Sequence, residues 1–228
     1  MDKALRLQYL NTMGIDSWVL RRPLATVSEP PLGVSIATAE PAAGNDWHSL
    51  QLAVQACRAC SLCETRTQTV FGVGNHHADW LLIGEAPGQN EDLQGEPFVG
   101  KAGQLLNEML RAIGLSRQQV YIANMLKCRP PNNRDPLVSE VTACHDFLQQ
   151  QIGLIQPRII LAVGRIAAQN LLNTQQTLSR LRGQVHDLQG IPLVVVHHPA
   201  YLLRSLSEKA KAWEDLQFAL RVYSSRTH

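Results

Sequence analysis

Four short apolar runs separated by amphipathic stretches constrain this chain more than any other feature. "DWLLIGE" (79–85), "VYIANML" (120–126), "RIILAVG" (158–164) and "IPLVVVHHP" (191–199) are nearly continuous in apolar residues rather than alternating, as strands buried on both faces require. Around them, "AGQLLNEMLRAIG" (102–114), "LVSEVTACHDFLQQQIGLI" (137–155), "RIAAQNLL" (165–172) and a last segment over roughly 207–223 carry helical patterning. This alternation predicts an α/β protein, a three-layer α/β/α sandwich with a mostly parallel central sheet. Ligands of such sheets bind beyond the carboxyl ends of the strands. Chemistry is therefore expected in the segments that follow the four runs: "GEAPGQNED", "NMLKCRPPNNRDP", "GRIAAQ" and "HHPAYLLR".

A chain of 228 residues suits one such domain with a short appendage. No apolar run approaches the roughly 18–20 residues of a membrane span. The opening "MDKALRLQYLNTMG" has an acid at position 2 and lacks the apolar core of a secretory signal, so a cytoplasmic location is expected. Of 21 basic and 19 acidic residues, four and two fall within residues 1–22, which leaves the remainder formally neutral. Any contact with nucleic acid must then come from a local patch rather than from bulk charge. Residues 24–46, rich in Ala, Pro, Ser, Thr and Gly, read as a flexible linker between a head at 1–23 and a body at 47–228. The body opens with "DWHSLQLAVQAC", a helix capped by Asp46.

That helix leads into "ACRACSLCE" (56–64), which holds Cys57, Cys60 and Cys63; the only other cysteines are Cys128 and Cys144. In a reducing compartment such clustered thiols point to metal ligation or reactivity rather than to disulfides. By spacing alone, Cys57 with Cys60 and Cys60 with Cys63 are equally good halves of a four-thiolate site. Such a site accepts zinc as readily as iron–sulfur.

The segment "GEAPGQNEDLQGEPFVGKAGQLL" (84–106), with "NMLKCRPPNNRDP" and "HPAYLLR", closely resembles the family 4 uracil-DNA glycosylases, the iron–sulfur-containing bacterial and archaeal type. The resemblance spans residues 54–222, with the motifs in the expected order. It implies a uracil-DNA glycosylase-like fold and a monofunctional hydrolase that starts base excision repair on single- and double-stranded DNA. It further implies a monomer in the bacterial cytoplasm or nucleoid, carrying a structural 4Fe-4S cluster on Cys57, Cys60, Cys128 and Cys144. Cys63 is then spare, a small and partly buried residue.

Such an enzyme must flip the nucleotide out of the stack, and the resemblance distributes the tasks. Phe98 stacks on uracil, Gly84 and Ala86 line its pocket, and the Asn124 amide reads the imide edge, which cytosine does not match. Taken alone, Phe98 could simply pack a core and Asn124 cap a strand end. Strand alternation sends His197 and His198 to opposite faces. The family pattern selects His198 to stabilise charge developing on uracil O2 and leaves His197 as a packed, hydrogen-bonded residue. Better-known uracil glycosylases of another family carry an aspartate where this chain has Ala86. Glu85 is therefore the candidate for positioning the water and stabilising the sugar cation, with Glu91 and Asp92 as second choices. DNA contacts are expected from Gly88, Gly100, Lys101, Ala200 and Arg204. Tyr201, Leu202 and Leu203 are expected to form an apolar wedge, the alternative being that they pack the start of the last helix. A related branch that bonds covalently to the abasic sugar has a basic insertion with an extra histidine after the asparagine strand. "KCRPPNNRDP" has no such histidine, so ordinary turnover is expected.

"YLNTMGIDSWVLRRP" (9–23) lies outside this pattern. It resembles the N-terminal peptide by which the psi subunit of bacterial DNA polymerase III docks on the clamp loader. Ile15, Trp18, Leu20, Arg21 and Arg22 would form a compact anchor, since Trp and Arg dominate interface hot spots. The rival to an enzyme is a non-enzymatic DNA-binding or clamp-loader adaptor on a glycosylase-like scaffold.

Overall fold

The structure, a computed structural model, describes residues 46–226. The expected docking head, with Ile15, Trp18, Leu20, Arg21 and Arg22, and the linker up to residue 45 lie outside the described residues. Helix α1 (Trp47–Ala56) begins where the sequence places it, with Asp46 accepting the Ser49 N–H at 2.8 Å. The elements that follow are α2 (Leu62–Thr65), β1 (Val73–Gly74), β2 (Trp80–Gly84), α3 (Gln89–Gln94), α4 (Lys101–Ala112) and β3 (Tyr121–Asn124). Then come α5 (Val138–Ile155), β4 (Ile159–Val163), α6 (Arg165–Leu171), α7 (Leu178–Leu181), β5 (Val185–Leu188), β6 (Ile191–Val196), α8 (Pro199–Leu202) and α9 (Lys209–Ser225).

The strands order as β1-β3-β2-β4-β6-β5. The four apolar runs are the central, mutually parallel strands, and β1 and β5 add antiparallel edges. Neither edge strand was expected. β1 is only two residues long, and β5 alternates exposed with half-buried positions, so neither contains an apolar run. β5 reaches β6 through Gln189 and Gly190, both at positive φ, a tight two-residue hairpin turn.

Side-chain alternation along the central strands divides two apolar layers. Trp80, Leu82, Ile122, Leu161 and Val194 face α4 and α9, and Leu81, Ile83, Ala123, Ile160 and Val195 face α5 and α6. This is the three-layer sandwich that the apolar runs predict. Chain order reverses between β2 and β4, which opens a crevice at their carboxyl ends. Among the described residues no helix is long and apolar enough to cross a membrane.

Candidate active site

Gly84 and Asn124, the last residues of β2 and β3, are register partners at that carboxyl edge. A Cβ on Gly84 would lie 2.3 Å from Asn124 Oδ1 and 2.7 Å from Phe98 Cζ, so bare backbone is what lets amide and ring converge. Asn124 is 2% exposed, and its Nδ2 has no hydrogen-bond partner. A buried donor left in this state costs about 1–3 kcal/mol, which a ligand bearing an acceptor would recover.

Phe98 has φ 53, a left-handed conformation that is an outlier for a bulky residue. Its neighbours hold it there. Glu91 Oε1 accepts the Val99 and Gly100 N–H groups at 3.0 and 3.2 Å. Arg117 donates to the Phe98 carbonyl at 3.3 Å and to the Pro97 carbonyl. The ring centroid consequently lies 5.7 Å from that of His198.

His198 caps α8: its Nδ1 accepts the Ala200 N–H at 3.1 Å. In the neutral ring the proton then sits on Nε2, making that atom a donor. Burial, followed by the field of Arg204, pushes the His198 pKa down to about 4, against the opposing pull of Glu91. The ring is neutral at pH 7. Gly164, at φ +96, passes so close that a Cβ there would sit 2.9 Å from the His198 Cβ, and both demands favour glycine. Glu85 follows β2 directly. Burial first, then the charge of Asp135, pushes its carboxyl up to about 7, with Arg165 pulling the other way. Arg165 and Asp135 themselves lie 3.5 Å apart.

Glu85, Phe98, Asn124, Gly164 and His198 line one cleft of about 800 Å³, which Ala86, Gly88, Ala200 and Tyr201 also border; that volume is within the range of small-molecule sites. Cations stand around it: Arg134, Arg165, Arg182, Arg204 and Lys211.

Five expected positions take other places. Gly84, expected to line the pocket, is buried and lies outside the cleft lining. Asp92, 3% exposed, accepts the Thr67 N–H at 2.9 Å and orders the loop rather than facing the cleft. Gly100 gives its N–H to Glu91, which removes that amide as a phosphate donor, and Lys101 stands exposed outside the lining. Leu202 is 1% exposed and belongs to the core, so the apolar protrusion consists of Tyr201 and Leu203, 40% and 42% exposed. His197 is buried, with Nδ1 3.2 Å from Asp215 Oδ2 and its ring stacked on Tyr201.

Comparison with known proteins decides the family. The model of the uracil DNA glycosylase superfamily matches residues 71–217. This chain belongs to that superfamily. A type-4 uracil-DNA glycosylase of Archaeoglobus fulgidus is 48% identical over 158 residues, spanning 66% of this chain and 79% of the relative. One from Thermotoga maritima is 42% identical, over 73% of this chain and 88% of its own. One from Saccharolobus solfataricus is 39% identical, over 76% and 84%.

In this superfamily member all five cysteines face a single small cavity, together with Arg66, Lys127 and Phe147. Each thiol is free. Arg66 donates to Cys128 Sγ at 2.9 Å and to the Cys57 carbonyl at 2.9 Å, and the Lys127 N–H points at Cys144 Sγ at 3.4 Å. Burial pushes the Cys128 thiol up to about 11 even with Arg66 beside it. A set of soft thiol donors ringed by N–H groups fits an iron–sulfur centre. Among the described residues no group of three or more His, Cys, Asp or Glu is arranged to hold a metal ion. Cys63, expected to be spare and partly buried, is half-buried and lines the same cavity as the other four.

Several residues of this superfamily member's site escaped the sequence reading. Arg165 opens α6, two residues after β4, in a segment marked for chemistry, and position alone could have raised it. Arg182, Lys211 and Arg117 reach the site or its supports only through the fold, and nothing in their local sequence announces them. Arg134 pairs twice with the buried Glu140, at 2.6 and 2.9 Å, and so ties the 129–137 loop to α5. Lys127 is 1% exposed; burial pushes its ammonium down to about 8 against the pull of Cys144.

Proposed function

We propose that this protein hydrolyses the N-glycosidic bond of deoxyuridine flipped out of DNA and so starts base excision repair. The observation that carries the reading is the buried Asn124 amide, with an unpartnered Nδ2, set beside the Phe98 ring and the neutral His198. An amide offers one donor and one acceptor to the imide edge of uracil. Cytosine inverts that pattern and would leave buried polar groups unpaired. Phe98 stacks on the base. As the bond to the sugar breaks, its electron pair passes to uracil, and the His198 Nε2–H donates to the O2 that gains the charge. Glu85, in its carboxylate form, faces the sugar cation and orients the water that captures it, and the proton this water loses neutralises the departing uracil anion. Uracil release from an oligonucleotide carrying one uracil tests this, with His198→Ala in parallel. A fall of at least ~100-fold in the variant is the expected scale for one lost transition-state hydrogen bond. No release by the wild type would leave the adaptor as the better reading.

Cys57, Cys60, Cys128 and Cys144 would hold a 4Fe-4S cluster. When bound, it supplies a cross-link between the end of α1, the loop after β3 and α5. What supports this reading is that the four thiols line one small cavity, a donor set that such a centre takes. Metal analysis of the purified protein checks this, and stoichiometric zinc without iron would sink it.

Residues 9–23 are proposed to dock the enzyme on the clamp loader of the replication machinery, in the bacterial cytoplasm or nucleoid. The support is the pattern of Ile15, Trp18, Leu20, Arg21 and Arg22, since a tethered anchor raises local concentration without new contacts to DNA. Purified clamp loader should retain the wild type and release Trp18→Ala; equal retention of the two, or none of either, overturns the docking.

A further inference from the structure

A lysine ammonium taken out of water is expensive unless it is paired, yet among the described residues no carboxylate pairs with the buried Lys127. Its Nζ instead donates to two neutral oxygens, the Asn124 carbonyl at 2.8 Å and Gln151 Oε1 at 2.6 Å. Both sides of this bridge are anchored. Gln151, on α5 and 0% exposed, donates its Nε2 to the Phe71 carbonyl at 2.9 Å and to Tyr121 Oη at 3.4 Å. The Lys127 main chain is pinned as well, its N–H against Cys144 Sγ at 3.4 Å and its carbonyl accepting the Val70 N–H at 2.8 Å. The ammonium thus joins the end of β3 to the helix that carries Cys144.

Asn124 needs such a brace. Its Nδ2 bonds to nothing in the protein, so no hydrogen bond from that nitrogen fixes the plane of the amide. Its aim must come from packing against Gly84 and Phe98 and from the main chain. We propose that Lys127 is a positioning residue for base recognition, bracing the main chain of Asn124 against α5 so that the amide keeps its aim into the cleft. Lys127 touches neither the base nor the reacting atoms. The inference rests on the reading of the cleft as a uracil site.

The test is Lys127→Met in the metal-loaded, full-length protein, a change that keeps the length of the side chain and removes its donors. Three quantities are read: iron content, competitive inhibition by free uracil, and kcat/KM on a uracil-containing oligonucleotide, each also in the Asn124→Ala background. Iron content should be unchanged, inhibition by uracil should weaken about tenfold, and the variant should cost nothing further once Asn124 is already Ala, as expected of residues acting as a unit. Full-strength uracil inhibition with iron intact overturns the proposal, as does an equal loss in both backgrounds. If Lys127→Met fails to load iron, Gln151→Met decides, since it removes an anchor of the ammonium, and the hydrogen bonds of Gln151 go to Lys127, Phe71 and Tyr121 rather than to a cysteine. Weakened uracil inhibition there supports the brace, and unchanged inhibition overturns it. Wild-type uracil release is measured alongside. Its absence would overturn the glycosylase reading itself, whereas normal release with uracil inhibition unchanged in the variants overturns only the role of Lys127.

Discussion

At the residue scale, burial tunes two titratable groups of the same cleft in opposite directions. Burial drives the His198 imidazole down to about 4 and the Glu85 carboxyl up to about 7, because in each case it is the charged form that loses its hydration. The consequence for rate follows from the sign. The working form of Glu85 is the carboxylate, so kcat/KM should rise with pH through about 7, while His198 stays neutral throughout. Glu85→Gln should lower the rate and abolish that rise; a wild-type profile flat from pH 6 to 8 would remove Glu85 from the mechanism. Stability should move the other way. A folded pKa raised above the ordinary carboxylate range means that folding favours the protonated form, and the penalty accumulates as pH rises from the unfolded pKa to the folded one. Glu85→Gln should therefore raise Tm more at pH 8 than at pH 5, which thermal denaturation at the two values checks. Neither shift could be read from sequence. The residue types were legible, but desolvation depends on what the fold packs around them.

At the scale of elements, α8 shows how one short run divides between two tasks. Pro199 fits the first turn, where no N–H is required, and His198 caps it. The turn then sends Leu202 into the core and leaves Tyr201 and Leu203 outside. Leu202→Ala should lower stability by about 2–5 kcal/mol, the usual range for a buried leucine, as measured by denaturant unfolding. Leu203→Ala should leave stability unchanged and reduce excision from double-stranded DNA more than from single-stranded DNA, because only the duplex leaves a gap for an apolar wedge to fill. Equal losses on the two substrates would remove Leu203 from that role. The sequence "AYLLR" marks an apolar protrusion but cannot say which of its leucines turns inward, since helical phase is set by where the cap falls. The strained Phe98 loop is a similar case. The aromatic was legible, whereas its grip by Glu91 and Arg117 depends on residues up to 19 positions away.

At the scale of the whole molecule, a body with 17 basic and 14 acidic residues over 47–228 must bind a polyanion through few charges. Around the cleft, Arg182 is paired with Asp215 at 2.6 Å and Arg165 with Asp135 at 3.5 Å, so the cations are partly neutralised before DNA arrives. Contact with about four phosphates gives a slope of log affinity against log salt near about −3 on single strands. A titration of His198→Ala with a uracil oligonucleotide at several salt concentrations measures it. A slope steeper than about −5 would mean a far larger basic surface than this cleft presents. The central parallel strands, the face on which the site opens and the motif residues of the cleft were all determined by sequence, because strand burial and loop position are written in local patterning and chemical identity. The edge strands, the inward turn of Leu202, the roles of Asp92 and Gly100, the pKa values and the Lys127 brace were decided only by tertiary structure. Each depends on neighbours distant in the chain, and only packing brings those neighbours within hydrogen-bonding or desolvating range.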